Sequence, residues 1–449
     1  MKRLFSYQVR LLMNRYSNYR KINCDWINEI PSDWNLVRGR FLFNSKKQLN
    51  TDLQCKNLLS LTLSGVLNKN YHSSDGLRPE NYNTYQIFQK DDLVFKLIDL
   101  ENVNTSRVGI VHEEGIMSPV YLRHEPNQNK IYPKFAYWFY YDLYKKEIYN
   151  SIGSGVRSSM TSSDLLDLEI PLPSIKEQKL ISQYLDKKTE QINRLIKKIQ
   201  MKIELLKEKK TLLINHYVTK GLDSRVEMVE SGVSWIGKIP SHWKKKPLKN
   251  IAYMKGRIGW KGLKQEEFLD TGDYYLITGH DIKNDKMNWK DCYHISKERY
   301  EESPEIMLEE GDLLFTKDGT IGKTLYIDSL PKPASLNSHL LVIRPINKSY
   351  NSKFLQYMFK SSQFLMYVEH NKTGTTFYGM SQNSMENFKG YFPNLSEQSK
   401  IVSYLDKHTH LIDNKILNEQ KRVNLLNEYY QSLISSAVTG KIKINQENK

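Results

Sequence analysis

The chain has 449 residues and carries 66 lysines and arginines against 50 acidic residues, a net charge of +16. That length exceeds one ordinary core and suits two to four domains, while the positive surplus favours an acidic partner, nucleic acid before an anionic membrane. No apolar run approaches the roughly 20 residues a spanning helix needs, and the most apolar stretch, Phe135–Tyr141, is short and aromatic. The start, Met1–Tyr7, is basic but lacks the apolar core and small-residue cleavage site of a secretory signal. Cys24, Cys55 and Cys292 lie far apart, giving neither a disulfide framework nor a zinc pattern, as expected of free thiols in a reducing cytoplasm.

In chain order, residues 1–25 form an N-terminal extension. Residues 26–173 mix short β-type runs such as Asp92–Phe95 with Gly, Asn, Ser and Thr clusters, and a helical stretch, Lys134–Glu147, comes late. This is an α+β pattern. Residues 174–221 are a long helix with almost no breakers. Residues 222–393 return to the α+β pattern, with a strand-like Leu341–Arg344 and a helical stretch Ser352–Val368, and residues 394–449 return to the helix.

The second half restates the first. Trp26-Ile-Asn-Glu-Ile-Pro-Ser-Asp-Trp34 recurs as Trp235-Ile-Gly-Lys-Ile-Pro-Ser-His-Trp243, an offset of 209. Asp92-Leu-Val-Phe95 recurs as Asp312-Leu-Leu-Phe315 at an offset of 220, which persists through Pro173/Pro393, Glu177-Gln178/Glu397-Gln398, Tyr184-Leu-Asp186/Tyr404-Leu-Asp406 and Val218-Thr219/Val438-Thr439. The change of offset places eleven extra residues between Trp243 and Asp312. A repeat this long is a duplicated module rather than a solenoid, and implies a pseudo-two-fold molecule with two equivalent working surfaces.

Each helix carries a heptad seam. The first runs Leu185, Thr189, Ile192, Ile196, Ile199, Ile203, Leu206, Lys210, Leu213, Tyr217. The second runs Leu405, Thr409, Ile412, Ile416, Glu419, Val423, Leu426, Tyr430, Leu433, Ala437, and eight of ten positions in each are apolar. Spacings that alternate 4 and 3 over four heptads predict a coiled coil, formed by the two helices pairing over about 60 Å. Ser174 and Asn394 are the expected N-caps, each with a glutamate three residues on, and Gly221 and Gly440 suit the C-terminal caps. Periodicity leaves the direction of pairing open.

At this point the sequence resembles the specificity subunits of type I restriction–modification systems. The resemblance rests on the Trp-Ile-x-x-Ile-Pro-x-x-Trp openings, on Gly311-Asp-Leu-Leu-Phe315 with Asp318-Gly-Thr-Ile-Gly322, and on Ile170-Pro-Leu-Pro…Glu177-Gln178, in an order that covers the whole chain. It implies two target recognition domains, each reading half of a bipartite, asymmetric sequence in double-stranded DNA, and antiparallel helices that set the gap. It also implies two methyltransferase subunits and two motor–nuclease subunits as partners. S-adenosylmethionine, ATP and Mg are then expected in the partners, with no cofactor or metal and no catalytic residue in this chain. Two departures stand in the first copy: Asp91 where the family has glycine, and Asn28-Glu29 where the second copy has Gly237-Lys238.

Other chemistries lack their residues. Lys317–Thr324 nearly matches a P-loop but has lysine at the first glycine position, and Ser151–Arg157 lacks the third glycine of a dinucleotide fingerprint. There is no Asn-Pro-Pro-aromatic motif and no His-Glu-x-x-His, and His408-Thr-His410 suits a solvated helix face. DNA contact needs basic, hydroxyl and amide side chains on loops. Two equivalent loops supply them: Ser151–Ser163, with Ser154, Arg157 and Ser158, and Asn371–Asn383, with Lys372, Thr373, Gly374, Thr375, Thr376, Tyr378 and Gln382. A second pair follows the Asp-Leu-x-Phe strand, with Lys96 and Arg107 in one copy and Lys317 and Lys323 in the other. Lys244–Lys246 suits phosphate or solvent equally. Two alternatives stay open, an enzyme acting on DNA by itself and a coiled-coil scaffold that binds proteins without choosing a DNA sequence.

Overall fold

The computed structural model describes residues 15–24, 26–69, 82–101, 105–153, 159–233, 236–257, 262–283, 286–374 and 378–445. The chain forms two compact units, residues 1–199 with 421–449 and residues 200–420. Four helices organise them: α1 (Pro133–Lys145), α2 (Ile175–Lys220), α3 (Ser352–Phe359) and α4 (Leu395–Val438).

The first unit opens with strand Tyr19–Cys24 paired antiparallel to Ile27–Pro31. One four-stranded sheet orders Gly65–Lys69, Leu58–Thr62, Gly115–Met117 and Gln86–Phe88, and a second orders Phe43–Asn44, Leu122–Pro126, Leu93–Phe95 and Val108–Ile110. Helix α1 starts at Pro133, whose missing N–H costs nothing in the first turn, and buries Phe135, Trp138, Phe139 and Tyr140 against the second sheet. The second unit repeats the scheme. Ala252–Lys255, Leu340–Pro345, Leu313–Thr316 and Thr324–Tyr326 form the four-stranded sheet, and Tyr293–Ile295, Tyr274–Ile277 and Ala334–Leu336 form the other. Both units keep one parallel pair, Leu58 with Ile116 and Tyr275–Ile277 with Ala334–Leu336. In both, the strand entering the domain pairs with the strand leaving it for the long helix, Asn35–Arg38 with Glu169–Leu172 and Lys244–Pro247 with Lys389–Phe392.

One expected helix is two. The stretch Ser352–Val368 breaks after Phe359 and resumes at Ser362–Asn371, because the Ser361 hydroxyl accepts from Phe364 N–H and caps a new helix.

The Asp-Leu-x-Phe motif has a structural cause. Asp92 is buried, accepts from Gln89 N–H at 2.6 Å, and is paired with Arg123 at 2.5 Å. Asp312 does the same with Glu309 N–H at 2.7 Å and with both Arg344 nitrogens at 2.7 and 2.8 Å. Each aspartate thus closes a tight turn and anchors the neighbouring strand.

The Glu-Gln motif anchors the long helices. Ser174 and Asn394 accept from Glu177 and Glu397 N–H at 3.3 and 2.9 Å, as N-caps. Gln178 is wholly buried, accepting from Tyr132 N–H at 2.7 Å and donating to Pro173 O at 2.9 Å. Gln398 accepts from Asn351 N–H and donates to Pro393 O, both at 2.8 Å. The two cap glutamates turn to aromatic partners, Glu177 accepting from the Tyr16 hydroxyl and Glu397 from the Trp243 indole at 3.1 Å.

Pairing of the helices is antiparallel within each unit. In the first, Leu185 and Ile192 of α2 share a core with Leu433, Ala437 and Val438 of α4. In the second, Ile214 and Val218 of α2 share one with Ile401 and Leu405 of α4. Lys202–Glu419 at 2.6 Å, Lys210–Asp413 at 2.8 Å and a Tyr217–Tyr404 hydroxyl contact at 3.1 Å run in opposite directions along the two helices. Leu185, Ile192, Ile199, Ile203, Leu405, Ile412, Val423 and Leu433 are buried, while Ile196, Leu206, Ile416 and Leu426 are half-buried. At the end of α2 the seam moves over by one residue. Ile214 and Val218 are buried where Leu213 and Tyr217 were expected, because that turn packs on the second domain's core as well as on α4. Gly221 and Gly440 end the helices with φ of +71° and +72°.

Candidate nucleic-acid interface

The strand that follows each buried aspartate runs into a loop, and a second loop from far along the chain is bonded to it. In the first unit Met160 N–H donates to Leu97 O at 2.9 Å, and in the second Met380 N–H donates to Lys317 O at 2.8 Å. These positions are 220 residues apart in each case. The two loop pairs chosen for their residue types are therefore brought together in both units by one repeated hydrogen bond.

The second unit has the more fully described seam. Asp318 and Thr373 each bridge to Gly379, and Gly319 N–H donates to Tyr378 O at 3.3 Å. Lys317 reaches Asp318 at 2.5 Å, and His339 stands 3.4 Å from the same carboxylate. Lys372 pairs with Glu369 at 2.7 Å and lies over the Tyr378 ring at 4.6 Å. Lys323 donates to Gly279 O at 3.3 Å. Lys317, Lys372 and Thr373 thus gather at one seam. Gln382 turns away, donating to Met254 O at 3.0 Å and Glu386 at 2.8 Å, and so holds the short helix it begins. Residues 317–323 form the turn of a hairpin between Leu313–Thr316 and Thr324–Tyr326. A P-loop would open a helix there.

In the first unit Lys96 is half-buried with its ammonium 3.5 Å from the Thr105 hydroxyl. Arg107, expected to face DNA, is instead 1% exposed, and its guanidinium donates to Ile98 O at 3.1 Å and to Asp99 O. Burial lowers its pKa, and since a guanidinium keeps its charge in proteins, the cation ties down loop carbonyls rather than meeting solvent. Ser154, Arg157 and Ser158, with Thr375 and Thr376 of the second unit, lie outside the described residues.

His339 and Asp318 were not singled out as candidates. His339 belongs to the turn before strand Leu340–Pro345, and the pairing of Thr316 with Leu340, continued by Lys317 N–H donating to His339 O at 2.9 Å, brings it to the seam. That pairing has no local signal in sequence.

Comparison with known proteins gives the family. Residues 44–205 and 240–423 match the model of the type I restriction modification DNA specificity domain. The chain belongs to that family. It is 23% identical to a putative type I restriction enzyme specificity subunit, MjaX, of Methanocaldococcus jannaschii, over 97% of this chain and 99% of the relative. It is 22% identical to the EcoBI specificity subunit of Escherichia coli, over 98% and 90%. Its fold matches a chain solved in work on complex assembly and conformational transition of the type I R-M system, with TM-score 0.69, 14% identity and coverage of 92% and 99%. The HsdS subunit from Thermoanaerobacter tengcongensis matches at 0.51 and 14%, over 92% and 98%. Two tandem α+β recognition domains, each followed by a long helix of an antiparallel pair, are the architecture of this specificity-domain chain. Among the described residues no group of three or more His, Cys, Asp or Glu is placed to hold a metal, and no helix is long and apolar enough to cross a membrane.

Proposed function

We propose that the chain is the DNA specificity subunit of a type I restriction–modification enzyme and takes no chemical part in methylation or cleavage. Each recognition domain binds one half of a bipartite, asymmetric target in double-stranded DNA, and the chain positions the methyltransferase and motor–nuclease subunits there. The observation that carries this is the loop seam made twice, at Leu97–Met160 and Lys317–Met380, by the same hydrogen bond with different side chains around it. A catalyst needs one constellation of groups, whereas a reader of a split sequence needs one scaffold twice with unlike residues. Two methyltransferase and two motor–nuclease subunits assemble on the chain in this reading, in the cytoplasm. The partners use S-adenosylmethionine, ATP and Mg, and the chain itself holds no cofactor.

The test is to express the full chain with the methyltransferase of its system and locate modified bases in host DNA by sequencing. A split motif with a fixed spacer, present only with this chain, is the expected result. A continuous motif, or the same motif without the chain, moves the scaffold alternative ahead. Methylation or cleavage by the purified chain alone restores the enzyme alternative.

A further inference from the structure

Among its described residues, the seam in the second unit holds one aromatic side chain outward. Tyr378 is 46% exposed, whereas Phe354, Phe359 and Phe364 of the same unit are fully buried. Its backbone is fixed on the C-terminal side. The Tyr378 carbonyl accepts from Gly319 N–H at 3.3 Å, and the next residue, Gly379, exchanges two hydrogen bonds with Thr373 at 2.9 and 2.8 Å. A Cβ at Gly379 would stand 2.6 Å from Asp318 Oδ1, so that carboxylate would have to shift to admit one. The Lys372 ammonium lies over the ring at 4.6 Å and is itself held by Glu369 at 2.7 Å. A ring pinned through its backbone and braced on one face loses little further freedom on binding, and rigid aromatic contacts gain most from that.

We propose that Tyr378 reads a base edge in the DNA half-site bound by the second unit, its ring against an apolar group such as the thymine methyl, with Lys372 beside it for a flanking phosphate. This rests on the specificity-subunit reading above. The thymine methyl is the apolar feature of the major groove and is recognised by apolar side-chain surface, whereas phosphates take the cations. The residue 220 positions earlier is Ser158, so the two copies carry unlike residues at this point, as two unlike half-sites require.

The experiment again uses the full chain expressed with its methyltransferase, now as Tyr378→Ser and Tyr378→Phe. Tyr378→Ser is expected to lower modification of the original motif about tenfold, the scale of one lost base contact. It also admits other bases at one position of one half-site, the other half-site staying as it was. Tyr378→Phe, which keeps the ring, is expected to keep the original preference. An unchanged motif with Tyr378→Ser overturns the proposal, as does lowered modification with no base position relaxed, which marks lost folding or assembly. Tyr378→Phe behaving like Tyr378→Ser overturns the assignment to an apolar base group. Absence of any split motif with the unsubstituted chain is a different result, and sinks the specificity-subunit reading itself.

Discussion

The turn before each Asp-Leu-x-Phe strand needs a residue with positive φ, +73° at Asp91 and +96° at Gly311. A side chain in that region is strained, and at Gly311 an added Cβ would meet nothing within 4 Å, so the cost there is one of backbone alone. Asp91→Gly is therefore expected to stabilise the first unit by about 0.5 kcal/mol and Gly311→Ala to destabilise the second by about 1 kcal/mol, read as opposite shifts of the urea midpoint. His124 gives a second test. Its side chain is wholly buried, with Nε2 2.9 Å from the Ser162 hydroxyl, and burial holds its pKa at about 4, below the ordinary 6.5. An unfolded chain takes up that proton below 6.5, whereas the folded unit resists until about 4. Stability tied to the neutral ring is thus complete above pH 6.5 and is lost as pH falls towards 4, by about 3 kcal/mol in all. Ile343, paired with Leu313 as His124 is with Leu93, occupies the same register position in the second unit. His124→Gln is expected to flatten the pH dependence of denaturation between 6.5 and 4, and an unchanged slope would assign it to other groups.

At the scale of elements, the helix seam was legible because its period is local: Leu185, Ile192, Ile199 and Ile203 declare a buried stripe by spacing alone. Direction was not, since the same stripe serves parallel or antiparallel partners, and the tie between Lys202 and Glu419 exists only in space. Loops divide in the same way. Residue type picked out Lys317 and Lys372 in two separate loops, which the structure brings to one seam, but type says nothing of orientation, so Arg107 and Gln382 looked like surface contacts while serving as internal struts. Glu419 is the informative exception in the seam, its side chain 10% exposed and paired with a lysine that is 59% exposed. The matching position of α2 is Ile199. Desolvating a carboxylate is costly, a lysine so exposed to water attracts it weakly, and apolar replacement of buried ionic groups is often neutral or stabilising. Glu419→Ile is expected to raise the denaturation midpoint, a stability gain of about 1–2 kcal/mol, and Lys202→Ala to lower it. A drop with Glu419→Ile would show that the ion pair is net favourable.

Across the whole molecule, charge makes its own prediction. Each phosphate contact contributes about −0.9 to the slope of log affinity against log salt, so Lys372→Ala is expected to make that slope shallower by about 0.9 if its ammonium meets a phosphate. An unchanged slope would remove Lys372 from the interface. The end of the chain makes another. Ile442 and Ile444 are buried in the first unit's core, and the Gly440 carbonyl accepts from the Tyr19 hydroxyl at 3.0 Å. Stopping the chain after Gly440 removes both isoleucines, at about 1.5–3 kcal/mol each for lost burial. The loss is expected in the first unit alone, seen as faster proteolysis of residues 15–199 with residues 200–420 still resistant.

The division of the chain between its units also bears on synthesis at the ribosome. The second unit is one unbroken stretch, residues 200–420, whereas the first combines residues 1–199 with residues 421–449. Domains generally fold as their segments emerge, so the half translated first must wait for a segment translated after the whole of the second unit. Until then the α2 face that receives Leu433, Ala437 and Val438 is bare, and a nascent chain that has emerged as far as residue 420 would hold a complete second unit and an incomplete first one.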